Sequence, residues 1–168
     1  MFTVINTALL RDVPFDEPGR LLDLGVINRD GREVGLSYPD YRDWSDARTL
    51  EGISVSIDAV MNLSDESRPP ERLRGTYVSA NTFGLLRSRP VAGRDFLPAD
   101  GQPGAPPVAI IGHGVWLERY GGDPSVVGRT VTINNVGATI VGVMAAHFRY
   151  PFIAEAWQPL SAAPALQS

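Results

Sequence analysis

The chain has 168 residues, of which 43% are hydrophobic and 20% charged, and a net charge of −4. That length and balance describe a folded chain able to bury roughly 70% of its unfolded surface, and the acidic excess argues against nucleic acid, whose phosphates demand a basic footprint. All 15 basic residues are Arg and there is no Cys, which excludes a P-loop lysine, a Schiff-base lysine, a Ser-Lys pair, a thiolate metal site and a disulfide framework.

Met1–Leu10, MFTVINTALL, is apolar but too short for a signal peptide, and it lacks a basic leader and a cleavage site. It reads either as a short amphipathic start or as the last turns of a transmembrane helix. No stretch approaches the ~18 consecutive apolar residues of a spanning helix. RDVPFDEPGR (11–20) carries two prolines and serves as a connector. Residues 21–27, LLDLGVI, predict a strand closed by Asn28, Asp30 and Gly31. Ser37 and Asp40 resemble a capping box with Pro39 in the first turn, so a helix of two to three turns is expected there. It sets Tyr38, Tyr41 and Trp44 on one side and Asp40, Asp43 and Asp46 nearly opposite.

Residues 52–63 and 72–78 predict two further strands, the second with Leu73, Gly75 and Tyr77 on one face. Ser79 can cap a short helix carrying Phe83, Leu85 and Leu86. The first ninety residues therefore read β-α-β-β-α. After the Pro/Gly-rich loop PADGQPGAPP (98–107), Val108–Ile111 predicts a compact strand. His113–Tyr120 predicts a helix burying Val115, Trp116 and Tyr120, stopped by Gly121, Gly122 and Pro124. Thr130–Ile133 and Thr139–Met144 flank Asn134, Asn135, Val136 and Gly137, so a hairpin is expected.

Chemistry is sparse. Gly112-His113-Gly114 has Leu117 where a dinucleotide loop needs its third glycine, and no G-x-S-x-G elbow exists. His113 and His147 are the only histidines and have no third zinc ligand at a recognisable spacing. Asp40, Asp43 and Asp46 lack calcium-loop spacing and read as a solvated helix face. Trp44, Trp116 and Trp157 fit core packing better than a stacking platform. Asn62-Leu63-Ser64 matches a glycosylation acceptor of no diagnostic weight. No catalytic, cofactor-binding or metal-ligating residue is assigned.

The order of the segments is more specific. LLRDVPFDEPGRL, SYPDYRDW, ERLRGTYVSANTFGLL with RPVAGRDFLPAD, and VAIIGHGVWLERYGGDPSVVGRTVTINNVGATIVGVM together resemble the MacB-like periplasmic core domain of ABC transporter permeases. The similarity is greatest to the duplicated, orphan permeases that carry no ATPase on the same chain. It covers residues 1 to about 160, with departures at Asp12, where proline is usual, and Gly112, where serine is usual.

The resemblance implies an α+β fold inserted between the first two transmembrane helices of a permease. Residues 1–20 would be the end of a transmembrane helix and a connector, 21–90 a porter-like β-α-β-β-α subdomain, 91–152 a smaller β-rich sabre-like subdomain, and 153–168 a truncated return segment. It implies a site on the extracytoplasmic, periplasmic side of a bacterial inner (plasma) membrane. The implied partners are the remainder of the permease and a second permease copy, an ATPase subunit in trans and an adaptor protein, with no nucleic acid and no cofactor. The role expected is non-catalytic transmission of ATPase-driven change for export; the alternative is a ligand-binding module with a cleft between the subdomains. Related permeases continue past Trp157–Leu160 into a further strand and helix, so an apolar edge or face near Leu21–Ile27, favouring self-association, is expected.

Overall fold

A computed structural model describes residues 2–6, 23–27, 33–34, 52–66, 68–148, 150–151 and 153–164. The chain divides into two compact units, residues 1–53 and 54–168.

In the first unit, β1 (Phe2–Asn6), β2 (Asp23–Ile27) and β3 (Glu33–Val34) form an antiparallel sheet in that order. Phe2 lies opposite Ile27 and Asn6 opposite Asp23, while Val26 lies opposite Val34. Two expectations change. Phe2–Asn6 is a strand and not the exit of a helix; Thr3, Val4 and Ile5 are three successive β-branched residues, which favour extended backbone over helix. The strand at 23–27 is central and paired on both sides, so the sheet edges belong to β1 and β3 instead of the 21–27 segment. The helix expected from Ser37, with Tyr38, Asp40, Tyr41, Asp43, Trp44 and Asp46, lies outside the described residues.

The second unit is dominated by one mixed sheet. Its elements are β4 (Ser56–Asp65), β5 (Arg68–Val78), α1 (Thr82–Leu85), β6 (Ala92–Gly93), β7 (Val108–Ile111), α2 (His113–Tyr120), β8 (Thr130–Ile133), β9 (Val136–Val143) and β10 (Ala156–Pro159). The order is β6-β9-β7-β10-β5-β4-β8, and β8 also pairs with β9. Six strands thus close a ring, β9-β7-β10-β5-β4-β8 and back to β9. Closure covers part of the edge that β4 and β8 would otherwise present, while β6, at the end of the order, stands outside the ring against β9. β10 runs parallel to β5 and β7 parallel to β9; the other pairings are antiparallel.

The core follows from alternation along these strands. Met61 and Leu63 of β4, Leu73 of β5 and Ala109 and Ile111 of β7 sit two residues apart on the enclosed face. Val131 and Ile133 of β8, Ala138 and Ile140 of β9 and Ala156 of β10 join the same buried cluster. Gly75 is required inside the ring, because a Cβ there would overlap the buried Met61 side chain. On the opposite face Trp157, fully buried, packs edge-on against Phe83 (5.8 Å) and Phe148 (5.5 Å), with Phe96 5.7 Å from Phe83. β7, between the two clusters, is buried along its whole length.

The expected division near residue 90 falls inside this sheet, since β4 and β5 pair with β8 and β10. The segment from residue 153, expected as a return path, supplies β10 at the centre of the sheet. α1 begins later than a Ser79 cap would place it, with Asn81 at the capping position. Ser79 Oγ instead accepts from the Val55 N–H (2.9 Å), and its carbonyl accepts from the N–H and hydroxyl of Thr82. α2 spans the predicted residues and ends at Gly121, whose φ of 63° no β-branched residue tolerates. The hairpin turn is tighter than expected: Asn134 (φ 49°) and Asn135 (φ 69°) alone make it, the two positive φ values of a type I′ turn.

Asn134 also completes the ring. β4 and β8 share only the pairs Leu63–Ile133 and Ser64–Thr132. Asn134 extends the seam: its N–H donates to the Asn62 carbonyl (3.1 Å), its Oδ1 accepts from the Asn62 N–H (2.9 Å), and its Nδ2 donates to the Val60 carbonyl (3.2 Å). Replacing Asn134 by Gly keeps the turn but deletes its side-chain bonds to Asn62 and Val60, and is expected to cost about 1–2 kcal/mol. Asn135→Gly, which deletes none of those bonds, should stay within about 0.5 kcal/mol of the parent. Equal losses for the two in urea unfolding would refute this role of the Asn134 side chain.

Candidate functional site

The most constrained polar cluster lies where the tip of the β4–β5 hairpin meets the last turn of α2. Val115 fixes the buried stripe of α2, and Arg119, one turn later, falls on it. The Arg119 side chain is only 4% exposed. Its Nε donates to Asp65 Oδ2 (3.2 Å) and its Nη1 to Glu71 Oε2 (3.2 Å) and the Pro69 carbonyl (3.1 Å). Its Nη2 donates to the Arg68 carbonyl (3.3 Å). Tyr120 donates its hydroxyl to the same Asp65 Oδ2 (3.1 Å). In return Arg68 Nη1 donates to the Glu118 carbonyl (3.2 Å), placing a cation at the negative end of the helix.

One guanidinium therefore binds four acceptors from a seven-residue stretch of hairpin. Burial opposes its charge, but the bonds to Tyr120 and Glu71 and the Asp65 carboxylate outweigh it and hold the Arg119 pKa above its ordinary value. Burial, then the adjacent Asp65 charge, raises the Tyr120 phenol. The group is a structural clasp in which a buried guanidinium faces a buried carboxylate.

A second charge pair holds the loop after β6. Arg94 grips Asp100 through Nη1–Oδ2 (2.7 Å) and Nη2–Oδ1 (3.2 Å), and the Leu97 N–H donates to Asp100 Oδ2 (2.7 Å). Burial opposes ionisation of Asp100, but these bonds win and its pKa is lowered. Asp95, beside it, is raised by burial despite the Phe96 N–H.

A shallow hollow of about 430 Å³ opens beside the clasp, lined by Arg68, Arg119, Tyr120, Asp123, Val126 and Arg129 among others. The Arg129 guanidinium lies 5.4 Å from the Tyr120 ring centre, within cation–π range.

The residues weighed from sequence are placed as follows. His113 opens α2, edge-on to Trp116 at 5.4 Å; His147 is in the turn after β9. Among the described residues no three His, Asp or Glu side chains come together for a metal. Trp116 is half-buried and donates Nε1–H to the Asp123 carbonyl (2.9 Å), and Trp157 donates to the Tyr150 carbonyl (2.8 Å), so both serve packing. Gly112 leads into α2, its N–H donating to the Glu155 carbonyl at 2.7 Å; a Cβ there would stand 3.1 Å from that oxygen. Arg119 and Asp65 escaped the sequence analysis, although an arginine one turn after Val115 in the predicted buried stripe was a visible signal.

The described second unit is thus a mixed, strand-dominated fold with short helices. The profile of the MacB-like periplasmic core domain matches residues 1–167, and the chain belongs to that family. It is thus a periplasmic domain of the MacB-like ABC transporter permease type. The fold is similar to the extracellular domain of the noncanonic ABC-type transporter YknZ from Gram-positive bacteria, with TM-score 0.61 and 13% identity over 80% of this chain and 70% of that one. It is also similar to the periplasmic region of MacB from Actinobacillus actinomycetemcomitans, with TM-score 0.59 and 14% identity over 79% of this chain and 59% of that one. No curated protein sequence gave a match. No helix among the described residues is long and apolar enough to cross a membrane.

Removing the clasp cation takes the Arg119 charge from Asp65, 5% exposed, while the bond from the Tyr120 hydroxyl stays. Arg119→Met is expected to lower unfolding free energy by about 3–5 kcal/mol, and adding Asp65→Asn to recover part of that loss in a double-mutant cycle. Additive losses in urea titrations would show that the pair is not coupled. For the Arg94–Asp100 pair the sign follows from the lowered Asp100 pKa. Its stabilisation is present above the unfolded carboxylate range, near ~4, and disappears as pH falls through the folded value. Asp100→Asn should therefore be less stable than the parent at pH 7, with the gap closing toward pH 2; a pH-independent gap in thermal unfolding would contradict this.

Proposed function

We propose that the domain is a non-catalytic transmission element of a bacterial inner-membrane exporter, on the periplasmic side, moved by an ATPase in trans and working against a second permease copy and an adaptor protein. The observation that carries this reading is the closed strand ring whose longest hairpin is clasped at its tip by Arg119. A body that passes displacement onward needs resistance to shear, and a closed ring of strands, pinned by a buried ion pair, supplies it. In that reading the porter-like (21–90) and sabre-like (91–152) parts act together from residue 54 onward, because their strands share a sheet. No residue is assigned to catalysis, to a cofactor or to a metal.

The chain contains no Cys, so a single engineered disulfide distinguishes a rigid transmitter from a ring that must open around a ligand. Ser64 and Thr132 are opposed across the β4–β8 seam, at a separation antiparallel partners share with disulfides. In the intact permease, S64C/T132C is expected to export equally well oxidised and reduced. Export lost on oxidation and regained on reduction would overturn the rigid-body reading.

A further inference from the structure

The hollow beside the clasp has a charge pattern that the transmission role does not use. Three of its lining residues are arginines, against one carboxylate, Asp123, on a chain whose net charge is −4. Arg119 is already matched by Asp65 and Glu71. Arg68 and Arg129 are exposed, and neither has a carboxylate within ion-pair distance among the described residues. Both are nevertheless held: Arg68 by the Glu118 carbonyl and Arg129 over the Tyr120 ring. Asp123 accepts at Oδ1 and Oδ2 from the N–H and hydroxyl of Ser125 (2.8 and 2.6 Å), bonds that with the Arg129 charge lower its pKa, so one carboxylate offsets part of the charge of the two exposed arginines and leaves an excess of positive charge.

The backbone narrows the ligand class. Phosphate sites recruit convergent main-chain N–H groups, but here those of Gly121, Gly122 and Asp123 donate inward, to the carbonyls of Leu117, Trp116 and Tyr120. The cationic groups lining the hollow are planar guanidinium groups, whose fork takes a carboxylate or a phosphate; without convergent N–H groups to complete a phosphate's contacts, the carboxylate is the better match. The hollow is shallow and open, so it suits a side chain presented by another surface.

We propose that this hollow is a docking site for an acidic polypeptide segment of a partner protein, a carboxylate of which bridges Arg68 and Arg129 above the Tyr120 ring. The proposal concerns binding by the chain of residues 1–168 alone and stands independently of whether the domain transmits force.

The test is calorimetric titration of the 168-residue chain with an N-acetylated, Glu-rich tetrapeptide, with inorganic phosphate in a parallel arm. Peptide binding is expected to weaken about tenfold or more in R68Q/R129Q, whose substituted side chains are exposed and whose fold is checked by circular dichroism, and to weaken as salt is raised. Peptide affinity unchanged in the double variant would overturn the proposal. So would phosphate binding as tightly as the peptide, which would make the hollow a general anion site, and so would no measurable peptide binding at low salt.

Discussion

Closing a strand ring requires that its first and last members meet, and here they meet over two residue pairs and one asparagine. Without the β4–β8 seam, β4 would present an open edge and the interior side chains of both strands would face solvent. Asn134 serves twice: its left-handed backbone makes the turn that brings β9 back along β8, and its amide continues the hydrogen-bond ladder onto Val60 and Asn62. Turn geometry and ring closure are thereby linked in one residue. A two-residue turn fixes the register of β8 on β9, and that register places Val131 and Ile133 inside the ring, where β4 presents Leu63.

The clasp completes what the seam begins. Leu63 and Ser64 hold one arm of the hairpin to β8, and Asp65, Arg68, Pro69 and Glu71 carry the tip onto α2. The hairpin is held at its tip by a helix and along one arm by a strand. The buried ion pair is an expensive device compared with apolar packing. Its directional bonds, however, select one placement of the tip, which a methyl-lined contact would let slide.

Much of this second unit was legible from residue pattern. Val108–Ile111 and His113–Tyr120 stand where the apolar run and the Gly121-Gly122 stop predict them, β5 extends the strand predicted at 72–78, and β4 overlaps the one predicted at 52–63 but begins at Ser56 and runs on to Asp65. Ring closure was not legible, because strand pairing between residues as distant as 63 and 133 leaves no local trace. The division near residue 90, implied by the resemblance, carries no sign in the local pattern that strands on its two sides pair into one sheet. Phe2–Asn6 misled for a related reason: an apolar run of ten residues fits helix and strand alike, and only its β-branched centre distinguishes them. The clasp had a signal, Arg119 one turn beyond Val115, but a charged residue on an apolar stripe is read as exposed until its partners, 48 to 54 positions earlier, are known.

The absence of lysine gains a structural meaning from these contacts. A lysine at position 119 would offer three donors from one point, whereas Asp65, Pro69, Glu71 and Arg68 are reached at 3.1–3.3 Å from three separate nitrogens of a planar group. Arg94 uses the same fork on Asp100, with both terminal nitrogens meeting both carboxylate oxygens. A domain that must keep its hairpin tip and its loop in one geometry gains more from a preorganised fork than from a flexible ammonium, because less freedom is lost for each bond made. On that argument Arg119→Lys would retain the charge but not the clasp, since position and planarity, more than charge, are what the buried acceptors recognise.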